Sequence, residues 1–183
     1  MSRNIFTFMK LKYIIKEKVL GVRFMGNEIK LEKATEDNAK EIHTMQKIAF
    51  AELLKRYQDY TTNPGNDSLE KVISKLNRED TEYYFIKSEE RNVGVVHIKQ
   101  IEPNVMNLKT LYVLPEHQGK GIAQKAMNLI EEIHSEVREW RLDTILQEKG
   151  NCYLYEKLGY VRTGEIRNIK EGMDLVYYSK IIK

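Results

Sequence analysis

The 183-residue sequence has one cysteine, three prolines and no long uninterrupted apolar run. A lone Cys152 cannot form an intrachain disulfide, and no cluster of residues has zinc-ligand spacing. A reducing compartment, the cytoplasm, fits best. So few prolines, with 42% apolar and 31% charged residues, exclude a fibrous or disordered chain. A large charge surplus is also missing, since the net charge is only +3. Residues 1–24 carry six Lys/Arg against Glu17, or +5, and the other residues carry 24 basic against 26 acidic side chains, or −2. The body of the chain therefore makes no electrostatic case for nucleic acid.

Repeats, low-complexity tracts and linkers are absent, and a chain of this length buries about 70% of its unfolded surface as one domain. The N-terminal stretch FTFMKLKYIIKEKVLGVRF is apolar in part, but lysines interrupt it and no small-residue cleavage site follows. It does not read as a signal peptide, and its apolar run is too short for a bilayer span. Residues 1–26 thus read as a basic N-terminal extension before a single domain at 27–183. The extension packs on the domain as an accessory helix or strand, or the true start is Met25. An amphipathic helix on a membrane surface is the remaining alternative and not the expectation.

Periodicity supplies the elements. In NEIKLEKA, Ile29 and Leu31 alternate with charged residues as in a half-buried strand. Thr35 can cap the helix that follows, where Ile42, Met45, Ala49, Leu53 and Tyr57 recur at spacings of three and four. DYTTNPGND is dense in turn formers, and Asp67 with Glu70 forms a capping pair for a second helix, SLEKVISKLN. Three strands, EYYFIKS, VGVVHIKQI and MNLKTLYVL, are close enough in sequence for an antiparallel meander. A helix with Ile122, Ala126, Ile130, Ile133 and Val137 on one face comes next. The strand WRLDTIL, a short helix around NCYLYEKL ending near Gly159, and the strands YVRTGEI and MDLVYYSKII complete the order. This describes a mixed sheet flanked by helices, with a strand-to-helix crossover at its centre.

That crossover is LYVLPEHQGKGIAQKA, where a strand breaks into a glycine loop and then turns helical. Such a seam gathers unpaired backbone N–H groups at the positive end of a helix dipole, which suits phosphate. The dinucleotide fingerprint fails because Gln124 stands where a third glycine is needed. The nucleoside triphosphate loop fails because Gly121 follows Lys120 where Ser or Thr is needed. A glycine turn without a ligand remains open on these residues alone.

The run Gln-x-x-Gly-x-Ala from Gln118 to Ala123 resembles the acetyl-CoA signature of the GCN5-related N-acetyltransferases (GNAT). About 30 residues later, LYEKLGY from Leu154 to Tyr160 is similar to the family's second signature. The resemblance covers residues 27–183. It implies an α/β (α+β) fold: a mixed, mostly antiparallel sheet of six to seven strands with a splayed central pair, flanked by about four helices. It implies acetyl-CoA as co-substrate, with its pyrophosphate on the backbone amides of Gln118, Gly119, Lys120, Gly121, Ile122 and Ala123. Gly121 would lack a side chain because a Cβ would obstruct the phosphate. Leu111, Tyr112 and Val113 would offer main-chain groups to the pantetheine arm, much as a strand would. Tyr155 falls on the general acid that protonates the departing thiolate. Many members have Asn at the position of Glu148 here, and Asn151 either substitutes for that contact or caps the short helix.

The expected activity is acetyl transfer to a primary amine, on a small molecule or a peptide, by direct attack in a ternary complex. The alternative is a non-catalytic CoA-binding sensor of the same fold. No metal is expected. Candidates for the base are His97, His117, Glu148 and a water chain, while Cys152 reads as a small buried hydrophobe rather than a nucleophile. Tyr57, Tyr60 and Tyr177 either line the acceptor site or belong to the core. Edge pairing through the terminal strands leaves a homodimer open.

Overall fold

The computed structural model describes residues 21–22 and 28–182. Most of the expected extension, Met25 included, lies outside the described residues. Gly21–Val22, however, forms a two-residue strand, β1, antiparallel to the next. β2 (Ile29–Lys33) buries Ile29 and Leu31, as their alternation requires. The backbone N–H of Thr35 donates to Asn38 Oδ1 at 2.9 Å, which closes a 3-10 turn over Glu36–Asn38. Helix α1 (Ala39–Tyr57) therefore begins later than its capping residue suggests.

Helix α2 (Leu69–Leu76) is capped by Ser68, whose side chain accepts from the Lys71 N–H at 3.2 Å. Asp67, expected as the cap, instead meets Lys71 and Lys75 at 2.5 Å each. Burial would push its carboxyl up, but the two ammonium groups outweigh that and hold it below the usual range.

β3 (Thr81–Ser88), β4 (Arg91–Glu102) and β5 (Val105–Val113) form the expected antiparallel meander. α3 (Ile122–Ile133) crosses over to β6 (Glu139–Ile145), so β5 and β6 are the one parallel pair among the described residues. α4 (Lys149–Lys157), β7 (Val161–Lys170) and β8 (Met173–Ile181) complete the chain. The strand order is β1-β2-β3-β4-β5-β6-β8-β7, a mostly antiparallel sheet whose eighth member is the two-residue β1. With four helices, this is the architecture expected from the sequence.

The two faces of the sheet carry separate cores. On one, α3 and α4 cover Ile98, Leu108, Trp140, Leu142 and Tyr178. On the other, α1 and α2 cover Tyr83, Phe85, Val95 and Tyr112. Gly94 shows how tightly β4 and β5 meet, since a Cβ there would run into the Tyr112 carbonyl. No helix among the described residues is long and apolar enough to cross a membrane.

Candidate active site

β5 pairs with β4 along nearly its whole length, up to Gly94↔Val113. Its pairing with β6 covers only Val105↔Glu139 to Leu108↔Leu142. Beyond Leu108 the two strands part, so the β6-facing edge of residues 109–113 has no strand partner. A β-bulge marks the parting: His97 pairs with Thr110 and Ile98 with Leu108, which leaves Lys109 as the extra residue. Main-chain groups on such an edge can receive an extended ligand as a further strand would be received.

At the end of this edge, Leu114 and Pro115 lead into a 3-10 turn over Pro115–His117. Gln118 enters the site through its side chain, whose Nε2 donates to the Val113 carbonyl at 2.8 Å. Its own N–H donates to the Pro115 carbonyl at 3.2 Å, so that amide is engaged and is removed from the expected phosphate donors. The first donor of the helix ladder is Lys125, to Gly121. The amides of Gly119, Lys120, Gly121, Ile122 and Ala123 have no acceptor among the described residues. Lys120 Nζ donates to the Glu116 carbonyl at 3.0 Å and closes the turn from outside.

Gly119 and Gly121 have φ of 74° and 72°, a backbone that side chains disfavour, and a Cβ on either would meet nothing within 4 Å. The loop therefore presents a run of free donors with open space above both glycines, an arrangement that suits an anionic group such as a pyrophosphate.

The LYEKLGY run has a local explanation. Gly159, with φ of 86°, ends α4: its N–H donates to Glu156 O at 3.0 Å, and that of Tyr160 donates to Tyr155 O at 3.0 Å. These two bonds make a Schellman motif. Its usual apolar contact is present too, as the Tyr155 and Tyr160 rings meet edge to face at 5.9 Å. Tyr178 lies against Tyr155 on another side, with centroids 6.2 Å apart. Helix end and ring contacts thus hold Tyr155 in the core cluster that also contains Leu142 of β6 and Tyr178 of β8. Burial above all pushes its phenol well above the usual range, so it is protonated at neutral pH. Its hydroxyl has no hydrogen-bond partner among the described residues.

The other expected site residues fall less favourably. Asn151 is exposed, with its Nδ2 3.5 Å from Thr144 Oγ1. Glu148 accepts from Tyr57 OH at 2.6 Å and from Arg56 Nη1 at 2.7 Å, a clasp between the end of α1 and the start of α4. As a base it is already engaged. Tyr57 thus belongs to this clasp, while Tyr60 is exposed.

His97 is buried and stacked on Tyr83 at 3.9 Å, and its Nε2 is buried without a partner. Desolvation first, then nearby lysines, pushes its pKa down to about 3, which makes it a poor proton acceptor. Cys152 is buried, with Sγ 3.8 Å from the Leu146 carbonyl. Among the described residues no group of His, Cys, Asp or Glu can hold a metal.

One residue that sequence reasoning passed over stands in the gap: Asp143, the first residue of β6 beyond its pairing with β5. The alternation of Trp140 and Leu142 in WRLDTIL already places it on the opposite face.

A splayed parallel pair, a donor-rich turn into a helix and a buried tyrosine on the next helix fit one class, the acetyl-CoA-dependent N-acetyltransferases. The family model described as "Acetyltransferase (GNAT) family" matches residues 31–160, and the chain belongs to that family. No curated protein sequence matches closely enough to count as a relative. Among solved structures, the chain is similar to a PaiA N-acetyltransferase from Thermoplasma acidophilum in complex with coenzyme A. There, identity is 19% over 84% of this chain and 99% of the other, with a TM-score of 0.66. It is also similar to the spermidine N-acetyltransferase of Vibrio cholerae in complex with CoA and spermine, at 15% identity over 84% of this chain and 95% of the other, TM-score 0.68. An acetyltransferase from Thermus thermophilus covers 88% of this chain over its full length, at 15% identity and a TM-score of 0.66. At these identities the likeness is one of fold.

Proposed function

We propose that this chain transfers the acetyl group of acetyl-CoA to a primary amine by direct attack within a ternary complex. The observation that carries this reading is the unpaired β6-facing edge of β5 beyond Leu108, which leads into the glycine turn. Bound acetyl-CoA supplies the thioester. Gly119 to Ala123 hold the pyrophosphate with their free amides, and the edge at Leu111 and Tyr112 orients the pantetheine. Val113 contributes less, because Gln118 occupies its carbonyl. Tyr155, protonated and otherwise unpartnered, donates its proton to the thiolate as the carbon–sulfur bond breaks.

Geometry favours direct transfer over a covalent acetyl-enzyme. The chain's single thiol is buried in the core, away from solvent, and a nucleophilic cysteine needs access and a stabilised thiolate. The acceptor is an amine. Spermine stands in one of the complexes to which the fold is similar, which makes polyamines sensible members of a test panel.

The test is release of free thiol from acetyl-CoA across a panel of polyamines, amino acids, aminoglycosides and peptides. Saturable turnover with at least one amine, and intersecting double-reciprocal lines, is the expected result. Parallel lines would contradict the ternary complex. The non-catalytic sensor is distinguished by saturable CoA binding without turnover of any amine.

A further inference from the structure

The geometry points to Arg56, Tyr57 and Glu148 as a strap that ties the two arms of the sheet across the open gap and so positions α4, which carries Tyr155, for the cofactor. This rests on the acetyl-transfer reading and assigns positioning residues to the same site.

One arm is β2 to β5 with α1 and α2 packed on it; the other is β6, β8 and β7. At the closed end the arms are joined by backbone pairing from Val105↔Glu139 to Leu108↔Leu142, and Arg141 adds a bond to Glu102 at 3.2 Å. Past Leu108 no strand pairing joins them. There Arg56 Nη1 donates to Glu148 Oε1 at 2.7 Å, and Tyr57 OH donates to the same oxygen at 2.6 Å. Among the described residues these are the only side-chain hydrogen bonds between the segment ending at Val113 and the segment starting at Asp143.

Helix α1 makes the crossing. The Ile42 carbonyl accepts from Tyr112 OH at 3.2 Å, and the Phe50 ring meets that of Tyr112 at 5.7 Å, so this stretch of the helix stands on the open half of β5. Tyr57 lies about two turns further on, about 10 Å along the axis. It ends beside Glu148, which follows the last residue of β6, Ile145. The helix thus stands on one arm and is fastened to the other.

Both ends of the strap are anchored. After Tyr57, Asp59 accepts from the N–H groups of Thr61 and Thr62 at 3.1 and 2.9 Å, and Gln46 of α1 donates to the Pro64 carbonyl, so the turn is tied back to its own helix. At the far end, the Glu148 carbonyl accepts from the N–H groups of Asn151 and Cys152 at 3.0 and 3.2 Å and starts α4. Tyr155 therefore lies between two fixed points, the strap before it and the Gly159 cap after it. Arg56 is 58% exposed, so the ion pair adds little to folding. Its effect falls on the gap: holding two unpaired strand edges at one separation removes that ordering from the cost of binding a cofactor between them.

The experiment compares wild type, Glu148→Ala, Arg56→Glu and the charge swap Arg56→Glu with Glu148→Arg. Spin labels are placed on Ile48→Cys of α1 and Tyr153→Cys of α4, positions exposed in the native protein, while Cys152 is buried. Without CoA, the wild-type background should give one narrow distance distribution, each single variant a broader or displaced one, and the swap a narrow one again. Calorimetry should show CoA bound about tenfold more weakly by each single variant. Turnover of the amine panel should fall about ten- to a hundredfold in kcat as α4 loses its place. The swap should recover most of both, and the urea midpoint should stay near that of wild type throughout. Unchanged distances in the single variants, unchanged CoA affinity and turnover, a swap no better than the worse single variant, or losses that track the folded fraction would each overturn the assignment. A wild type that binds no CoA would instead remove the acetyl-transfer reading, and the distances, which need no cofactor, would still decide whether the strap holds the arms.

Discussion

The two halves of β5 share one neighbour and differ in the other. Val105 to Leu108 are paired on both edges, with β4 on one side and β6 on the other, while beyond the bulge at Lys109 residues 110–113 are paired with β4 alone. In the first half, side chains face a filled core: Met106 aligns with Trp140 and Leu108 with Leu142. In the second half, a bulge at Lys109 ends the register, and the freed main-chain groups meet a glycine turn whose amides are free as well. A backbone that leaves donors and acceptors unpaired beside a buried tyrosine forgoes stability that pairing would have supplied. The closed half holds the sheet together, and the open half is shaped for a ligand that completes it.

Substitutions can separate the halves. The largest effect is expected at the open side, where Tyr155→Phe removes only a hydroxyl. Turnover should fall about 10²- to 10⁴-fold with CoA affinity unchanged, as read by steady-state kinetics beside calorimetry. Trp140→Ala, in the closed half, should do the reverse. Trp140 is fully buried, so its truncation should cost about 3–5 kcal/mol in a urea titration and reach turnover only through the folded fraction. If Trp140→Ala left stability intact, the division of labour would be wrong.

A pH effect comes next. His97 has its pKa pushed down to about 3, so the folded protein binds fewer protons than the unfolded chain between that value and about 6.5. Stability should therefore fall as pH drops through this window, by up to about 1.4 kcal/mol per unit, and His97→Phe should flatten the slope in urea titrations. Gly121→Val should weaken CoA binding at least about tenfold, since a left-handed β-branched residue costs about 1–2 kcal/mol and its side chain fills the space over the turn. The melting temperature should fall by only the few degrees that this backbone strain costs, because nothing packs against that position. Smallest of all, Arg56→Ala breaks one contact of an exposed ion pair with Glu148 and should change stability by less than about 1 kcal/mol.

Much of this was legible in the sequence, and the exceptions share a cause. Element order, the Gln118–Ala123 turn and the helix end at Gly159 follow from short-range patterns: apolar periods, glycines at left-handed positions and an aromatic on either side of a cap. Apart from Asp67, whose partners lie within eight residues, what failed depended on partners distant in sequence. Asp67 looked like a helix cap, but two lysines on the helix took its carboxylate and Ser68 did the capping. Glu148 looked free to act as a base until Arg56 and Tyr57, some ninety residues earlier, closed on it. The constraint on Gly94 comes from a carbonyl of the neighbouring strand. The parting of β5 and β6 after Leu108 likewise follows from no local pattern.

Amide hydrogen exchange with and without CoA tests the central claim most directly, because it reads each half of β5 separately. Saturating CoA should slow exchange at the gap-facing amides of residues 109–113 and at Gly119 to Ala123, while Val105 to Leu108 stay as protected as before. Protection confined to other segments, or no change anywhere on adding CoA, would contradict the account.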